Sequence, residues 1–382
     1  MLEIVKFINE HNNWRELLSS EPYNLKIFED DGFVLFKYDQ INSDFHEEIC
    51  KEARGLILDM ENNFRVVRMA FKKFFNIDEG FASNIDWDTA VATEKIDGSI
   101  MSVWFARGKW HLSTNNTIDA FKAPISGIAP YKTYGDLFES VFPLSTFETT
   151  ISNYLVNNCY TFELVSPYTK VVISYPKTKV YLLSVRNMIT LEEWTLLQVR
   201  AFADRFTDRF MISIPEQYSL NNENDYRNLV NSMPEGHEGI VVRDKNNERV
   251  KIKTLLYFEL HKAKNNGVLT AERIVNLVRA NDHYEFLSYF PEYKPIFDDI
   301  EAQVHEANNI VKTVQEEVTT WKNEHPCETG DRENRKMFAE KYGKNKHNAV
   351  YFLAYCGTLE HELETMTTKK FINLFRIEIK ED

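Results

Sequence analysis

The sequence is poor in cysteine: four in 382 residues, Cys50, Cys159, Cys327 and Cys356, scattered with no Cys-x-x-Cys pair. That spacing indicates neither a zinc site nor a disulfide framework and fits a reducing, intracellular setting. No apolar run approaches the roughly 18 residues of a spanning helix, so no membrane helix is expected. Met1-Leu2-Glu3-Ile4-Val5-Lys6 carries an acid early and reads as an amphipathic helix instead of a signal peptide. Glycine is scarce, 13 residues against 43% hydrophobic and 13% aromatic content, which describes an ordered globular chain and excludes a disordered one. Repeats and low-complexity segments are lacking. So are Gly-x-x-x-x-Gly-Lys-[Ser/Thr], which excludes a P-loop, and Gly-x-Ser-x-Gly, which excludes a nucleophile elbow. His361-Glu362 lacks the second histidine of a zinc-protease helix. An excess of cations is missing as well: the net charge is −13, against bulk salt-driven nucleic-acid binding over the whole surface.

What remains are two local basic stretches. Residues 62–77 hold Arg65, Arg68, Lys72 and Lys73 with no acid among them. Residues 332–346 hold Arg332, Arg335, Lys336, Lys341, Lys344 and Lys346 against Glu333 and Glu340. Either can be a solvated face, so each needs support from elsewhere.

Length predicts two domains. Helical spacing runs over residues 2–18 and stops before Ser20-Glu21-Pro22. Strand-like runs follow at Leu25-Ile27, Phe33–Phe36, Leu56–Leu58 and Phe64–Val67, with turns at Asp31-Gly32 and Asn62-Asn63. A mixed helical region near 134–157 precedes strands at Tyr160–Val165, Val171–Ile173 and Val180–Val185. Helices are predicted over about 191–207 and 223–232, then strands at Gly239–Arg243 and Arg249–Lys253. After Thr254 the pattern turns helical, as in Ala271–Phe290 and Ile296–Trp321. The expected organisation is therefore a mixed domain over 1–254 and a helical one over 255–382.

Glu94-Lys95-Ile96-Asp97-Gly98-Ser99 sits between two alternating apolar runs, which predicts a lysine on a tight hairpin with an Asp-Gly turn. A lysine there is a surface residue or, if its environment keeps it partly deprotonated, a nucleophile. A lysine that attacks a nucleotide's α-phosphorus needs cations for the triphosphate, a group for the sugar, a carboxylate for a divalent metal, and help in losing its proton. The chain offers Arg54-Gly55 opening a strand, Lys73-Phe74-Phe75-Asn76 ending the acid-free stretch, and Glu163 inside an apolar strand. It also offers Glu238-Gly239 opening another, and Lys251 and Lys253 on one face of a third. The plainer readings are an Arg54 ion pair with Glu52 or Asp59, core packing of Phe74-Phe75, and hydrogen-bonding histidines at 111, 237 and 261.

This ordered set resembles the covalent nucleotidyltransferase superfamily, and more closely the bacteriophage RNA ligase 1 family, over residues of about 30 to 265. The matching segments are Glu52–Ile57, Lys73–Asn76, Lys95–Ser99, Phe162–Pro167, Glu238-Gly239 and Lys251–Lys253. The resemblance implies an α+β nucleotidyltransferase (ATP-grasp-like) domain of antiparallel sheets with flanking helices, then an all-α C-terminal domain for RNA or tRNA recognition. It implies that Lys95 is adenylylated and that Glu163 contacts the ribose. Glu238 would organise nucleotide and metal, Lys251 and Lys253 the α-phosphate, and Arg54 and Lys73 the triphosphate. Gly98 and Gly239 would allow close backbone approach.

The implied activity is ATP-dependent joining of RNA 5′-phosphate and 3′-hydroxyl ends in RNA (tRNA) repair, with ATP and Mg²⁺ (or Mn²⁺) as cofactors. The expected protein is a cytoplasmic monomer working beside an end-healing kinase/phosphatase, with no membrane partner. Arg332, Arg335, Lys336 and Lys341 are candidate RNA contacts. One departure stands out: Asn115 occupies the place where the family carries a lysine, with Lys109 and Lys122 as candidates to compensate. Alternatives are a DNA ligase or capping guanylyltransferase, a catalytically weak RNA-end-binding protein, and a structural role.

Overall fold

The computed structural model describes residues 1–40, 42–125, 130–151, 155–169, 173–206, 209–234, 236–254, 270–279, 283–289, 293–325 and 332–378. The strand expected at Val171–Ile173 and the segment Leu255–His261 fall, Ile173 apart, outside them. The chain divides into two compact units, Met1–Lys264 and Asn265–Asp382.

In chain order the strands begin with β1 Lys26–Asp30, β2 Phe33–Lys37, β3 Arg54–Asp59 and β4 Arg65–Arg68. Then come β5 Phe75–Asn76, β6 Val91–Glu94, β7 Ser99–Ala106, β8 Lys109–Thr114 and β9 Asn158–Val165. The last are β10 Lys179–Asn187, β11 Ile212–Ser213, β12 Gln217–Tyr218, β13 Gly239–Arg243 and β14 Arg249–Lys253. They build three sheets, ordered β1-β2-β3-β4, β11-β10-β9-β7-β8 and β12-β6-β13-β14-β5. Pairing is antiparallel except at two-residue edges, where β11 joins β10 and β5 joins β14 in parallel.

The first sheet is a meander whose Asp31-Gly32 turn has positive φ at both residues, as a two-residue hairpin loop requires. Helices α1 (Glu3–Glu10), α2 (Trp14–Leu18) and α3 (Glu48–Glu52) accompany it. The single helix expected over 2–18 is thus two, separated at His11 to Asn13, where His11 leaves the helical conformation. Ile4, Ile8, Trp14 and Leu18 pack with Val34, Phe36, Ile57 and Leu58 in one core. The second sheet carries α4 (Tyr134–Glu139), α5 (Leu144–Thr150) and α6 (Leu196–Phe206), with Phe138, Phe142, Phe147, Phe162 and Phe202 between. Each such fully buried side chain contributes about 1.5–3 kcal/mol of transfer free energy. The third sheet packs on α7 (Glu223–Ser232) through Tyr226, Val230, Ile240 and Ile252.

Helix α6 starts later than the expected residue 191. Asn187 Oδ1 accepts from the N–H groups of Ile189 and Thr190, and Leu191 has a φ of +63°, so the chain turns there. The helix then starts behind Thr195, whose hydroxyl oxygen accepts from the Gln198 N–H while its own N–H reaches the Gln198 side chain.

The second unit is helical throughout its described residues: α8 (Ala271–Arg279), α9 (His283–Tyr289), α10 (Lys294–Glu324), α11 (Arg332–Tyr342), α12 (Asn348–Tyr355), α13 (Leu359–Thr365) and α14 (Thr368–Phe375). Along α10, Phe297, Ile300, Val304, Ala307, Val314, Val318 and Trp321 form one buried stripe at three- and four-residue spacing. Together these elements make an α+β chain of mixed sheets with flanking helices and a helical C-terminal region. Among the described residues, no helix is long and apolar enough to cross a membrane.

Candidate active site

Lys95 does not sit on a hairpin. β6 has β12 and β13 as neighbours and β7 has β9 and β8, so both edges of each strand are taken and the two strands belong to different sheets. Lys95–Gly98 is the passage from one sheet to the other. Lys95 N–H donates to the Gly239 carbonyl at 2.8 Å, fixing the lysine at the start of β13. Asp97 is buried, and its carboxylate accepts the Ile173 N–H at 2.7 Å instead of forming a tight reversal. Gly98 passes against β9: a Cβ there would lie 2.4 Å from the Leu164 carbonyl oxygen and 3.1 Å from Glu163 Cγ. Gly239, with a φ of +144°, has equally little room, since a Cβ would lie 2.1 Å from the Ile252 carbonyl oxygen.

The crossover brings Lys95 to two buried glutamates. Its Nζ donates to Glu238 Oε2 at 2.7 Å, and Lys253 Nζ lies 3.5 Å from Glu238 Oε1. Burial pushes the Glu238 carboxyl up, but Lys95 and Lys253 outweigh it and hold the group below its ordinary value. Glu163, on the central strand β9, goes the other way. Burial raises it to about 8; Lys95 opposes that rise and Glu238 adds to it. One glutamate is therefore held ionised and its neighbour protonated. The sequence pointed to cations around Lys95. Instead the group touching Lys95 is a carboxylate, which Lys253 shares.

A second cluster continues from β14. The Ile77 N–H donates to the Lys251 carbonyl, tying β5 and the preceding Lys73 to this strand. Lys73 Nζ lies 5.0 Å from the Tyr38 ring centroid, 5.5 Å from that of Phe45 and 5.4 Å from that of Phe75, an aromatic cage for a cation. Burial pushes the Tyr38 phenol up, yet Lys73, Arg54 and Lys251 together hold it below its usual value. Arg54 stacks over Phe74 at 5.0 Å, and its Nη1 is buried with no hydrogen-bond partner among the described residues. Neither of the ion pairs considered for it forms: Asp59 binds Arg107, while Glu52 accepts the Ile4 N–H and lies 3.8 Å from Lys72. An orphaned guanidinium beside Lys73, Lys251 and Tyr38 suits a phosphate-bearing ligand.

The acid-free stretch 62–77 is thus not one basic face. Arg65 reaches Asn157, Lys72 meets Glu48, and Arg68 is fully buried. Arg68 donates to Ser102 Oγ, the Arg54 and Gly55 carbonyls, and Asn115 Oδ1 at 2.6 Å. Burial lowers its pKa to about 10. Asn115 therefore receives a buried arginine from β4. Lys109 and Lys122, the candidates to compensate for it, are exposed and pair with Asp31 and Asp30. His111 has no catalytic neighbour, being stacked 4.2 Å from Trp104.

Sequence reasoning missed the contacts of Tyr38 and Arg68 and the Asp97–Ile173 hydrogen bond, because each joins a partner far along the chain. The RNA-contact candidates lie in the other unit: α11 begins at Arg332, and Arg335, Lys336 and Lys341 are exposed on it.

Among the described residues, no group of three or more His, Cys, Asp or Glu is placed to hold a metal ion. Glu238, held ionised, does fit a Mg²⁺-like ion, which is commonly held by one or two carboxylates and completed by substrate phosphates and water.

A lysine presented between sheets, beside two buried glutamates and a run of cations, has the groups that covalent nucleotide transfer would need. The sequence profile of the RNA ligase family matches residues 52–266, more than half of the chain. The chain belongs to the RNA ligase family. It is similar to the RNA ligase of Rhodothermus phage RM378, with 24% identity over 88% of this chain and 87% of that protein. It is also similar to a protein of Autographa californica nuclear polyhedrosis virus named as a bifunctional polynucleotide kinase/RNA ligase, at 24% identity over 74% of this chain. The match spans only 41% of that viral protein. Among solved structures, an archaeal ATP-dependent RNA ligase matches 94% of this chain and 81% of its own, with 12% identity and a TM-score of 0.48.

Proposed function

We propose that the protein is an ATP-dependent RNA ligase that joins RNA 5′-phosphate and 3′-hydroxyl ends through an AMP carried on Lys95. The observation that carries this reading is the convergence on Lys95 of Glu238, Glu163 and Lys253, with Arg54 and Lys73 along the same track. Lys95 Nζ attacks the α-phosphorus of ATP; the new N–P bond forms as the bond to pyrophosphate breaks. The AMP then moves to an RNA 5′-phosphate oxygen and releases the lysine. A 3′-hydroxyl attacks that activated phosphorus, and AMP departs.

Before the first step, Lys95 must leave Glu238 and lose a proton, because an ammonium has no lone pair to donate. A divalent cation held by Glu238, with Glu163 nearby, would supply charge neutralisation at the phosphates when bound. Glu163 faces the sugar, Lys251 and Lys253 the α-phosphate, and Arg54 and Lys73 the departing pyrophosphate. These groups act by in-line positioning and by charge stabilisation of the transition state. The exposed cations of α11 are the proposed RNA-backbone contacts, on a helical unit that would serve tRNA recognition. The same reading implies a role in tRNA repair, a cytoplasmic setting, and an end-healing kinase/phosphatase as working partner, in keeping with the kinase named in the viral relative.

The substrate test offers 5′-phosphorylated single-stranded RNA, the matching DNA and a nicked duplex, each with ATP or GTP and Mg²⁺. Joining of the RNA ends with ATP is expected. Preferential sealing of the nicked duplex, or use of GTP alone, overturns the reading.

A further inference from the structure

β14 presents Arg249, Lys251 and Lys253 at alternate positions, so they share one face while Val250 and Ile252 enter the core. The Lys253 end of this row is held by Glu238 at 3.5 Å. The Arg249 end is held by a second buried glutamate that the sequence did not single out. Glu193 follows β10 in the other large sheet, and its side chain is completely buried. Arg249 Nη2 donates to Glu193 Oε1, Arg243 of β13 lies 3.2 Å from the same oxygen, and Arg186 of β10 donates to Oε2 at 2.7 Å. Ser184 Oγ adds a hydrogen bond of 2.6 Å. The carboxylate thus joins one arginine of its own sheet to two of the sheet that carries the cationic row. Arg249 also lies 4.8 Å from the Phe71 ring centroid, and Arg54 lies 5.9 Å from the same centroid.

We propose that Glu193 is a positioning residue: by clamping Arg249 from the opposite sheet it sets the placement of Lys251 and Lys253 against the α-phosphate. It touches no substrate and acts only through β14. The loop carboxylate is joined to three arginines on three strands, and one of those arginines is continuous with the cationic row of β14. The inference rests on the role given to Lys251 and Lys253 in the proposed ligase reaction.

The test is single-turnover transfer from α-labelled ATP to the 382-residue chain, read as a rate at saturating ATP, with Glu193→Gln, Lys251→Ala and the double variant. Glu193→Gln is expected to slow transfer by about a hundredfold, the scale of an ångström misplacement, with the half-saturating ATP concentration little changed. With Lys251→Ala already present, adding Glu193→Gln should slow it by clearly less than in the wild-type background, since coupled residues are not additive. Equal slowing in both backgrounds, or a wild-type rate in Glu193→Gln, overturns the proposal. If Glu193→Gln loses its folded circular dichroism, Arg249→Lys replaces it in the same cycle, keeping the charge but losing the fork. No label on the wild-type chain would instead defeat the ligase reading itself, and this proposal with it.

Discussion

Their surroundings push Glu163 and Glu238 in opposite directions, and that difference is the clearest functional signature at the level of single residues. Glu238 is stabilised as a carboxylate by Lys95 and Lys253, whereas burial keeps Glu163 protonated up to about pH 8. For Glu163 the folded-state value lies above the unfolded one, so the folded protein binds the extra proton between the two. Stability from this group is therefore full below the unfolded value of 4.5 and falls as pH rises toward about 8. Glu163→Gln keeps a neutral group in place, so its melting temperature should gain on wild type between pH 5 and pH 9 in thermal scans. A constant difference across that range would contradict the assignment. That Glu163 needs a partner was legible in the sequence, because a carboxylate inside an apolar strand requires one. Tyr38 and Arg68 were not legible. Tyr38 belongs to the site only because Lys73, 35 positions along the numbering, comes to lie over its ring. Arg68 looked like part of a surface charge run until β7 and Asn115 closed over it.

At the level of elements, strand positions were largely readable. β13 and β14 have the expected bounds residue for residue, and β9 contains the expected Tyr160–Val165. The exception is instructive. An Asp-Gly between two β runs favours a hairpin, but hairpin pairing needs a free edge on each strand, and β6 and β7 have none to offer one another. Which edges are free depends on long-range partners, so the sequence spacing around Lys95 could not reveal the crossover. The crossover places the lysine between two sheets, where Glu163 comes from one and Glu238 from the other. Helix α11 carries an element-scale prediction. Its exposed cations include Lys336, whose pair with Glu340 at 3.9 Å is solvent-screened and weak, leaving the helix available to phosphates. In RNA-binding titrations across salt concentrations, Lys341→Ala should weaken binding and flatten the slope of log K against log salt by about one. An unchanged slope would remove α11 from the RNA path.

For the whole molecule, the net charge of −13 and the cationic site are complementary facts. The cations that matter come from β3, the segment just before β5, the Lys95 crossover and β14, and they lie beside buried acids of the first unit. That convergence is best explained by chemistry at Lys95. The most direct measurement is incubation with α-labelled ATP and Mg²⁺, denaturation, and mapping of any retained label. The account predicts label on Lys95 and none on Lys95→Ala; label at another residue, persistence in Lys95→Ala, or no label from ATP would contradict it.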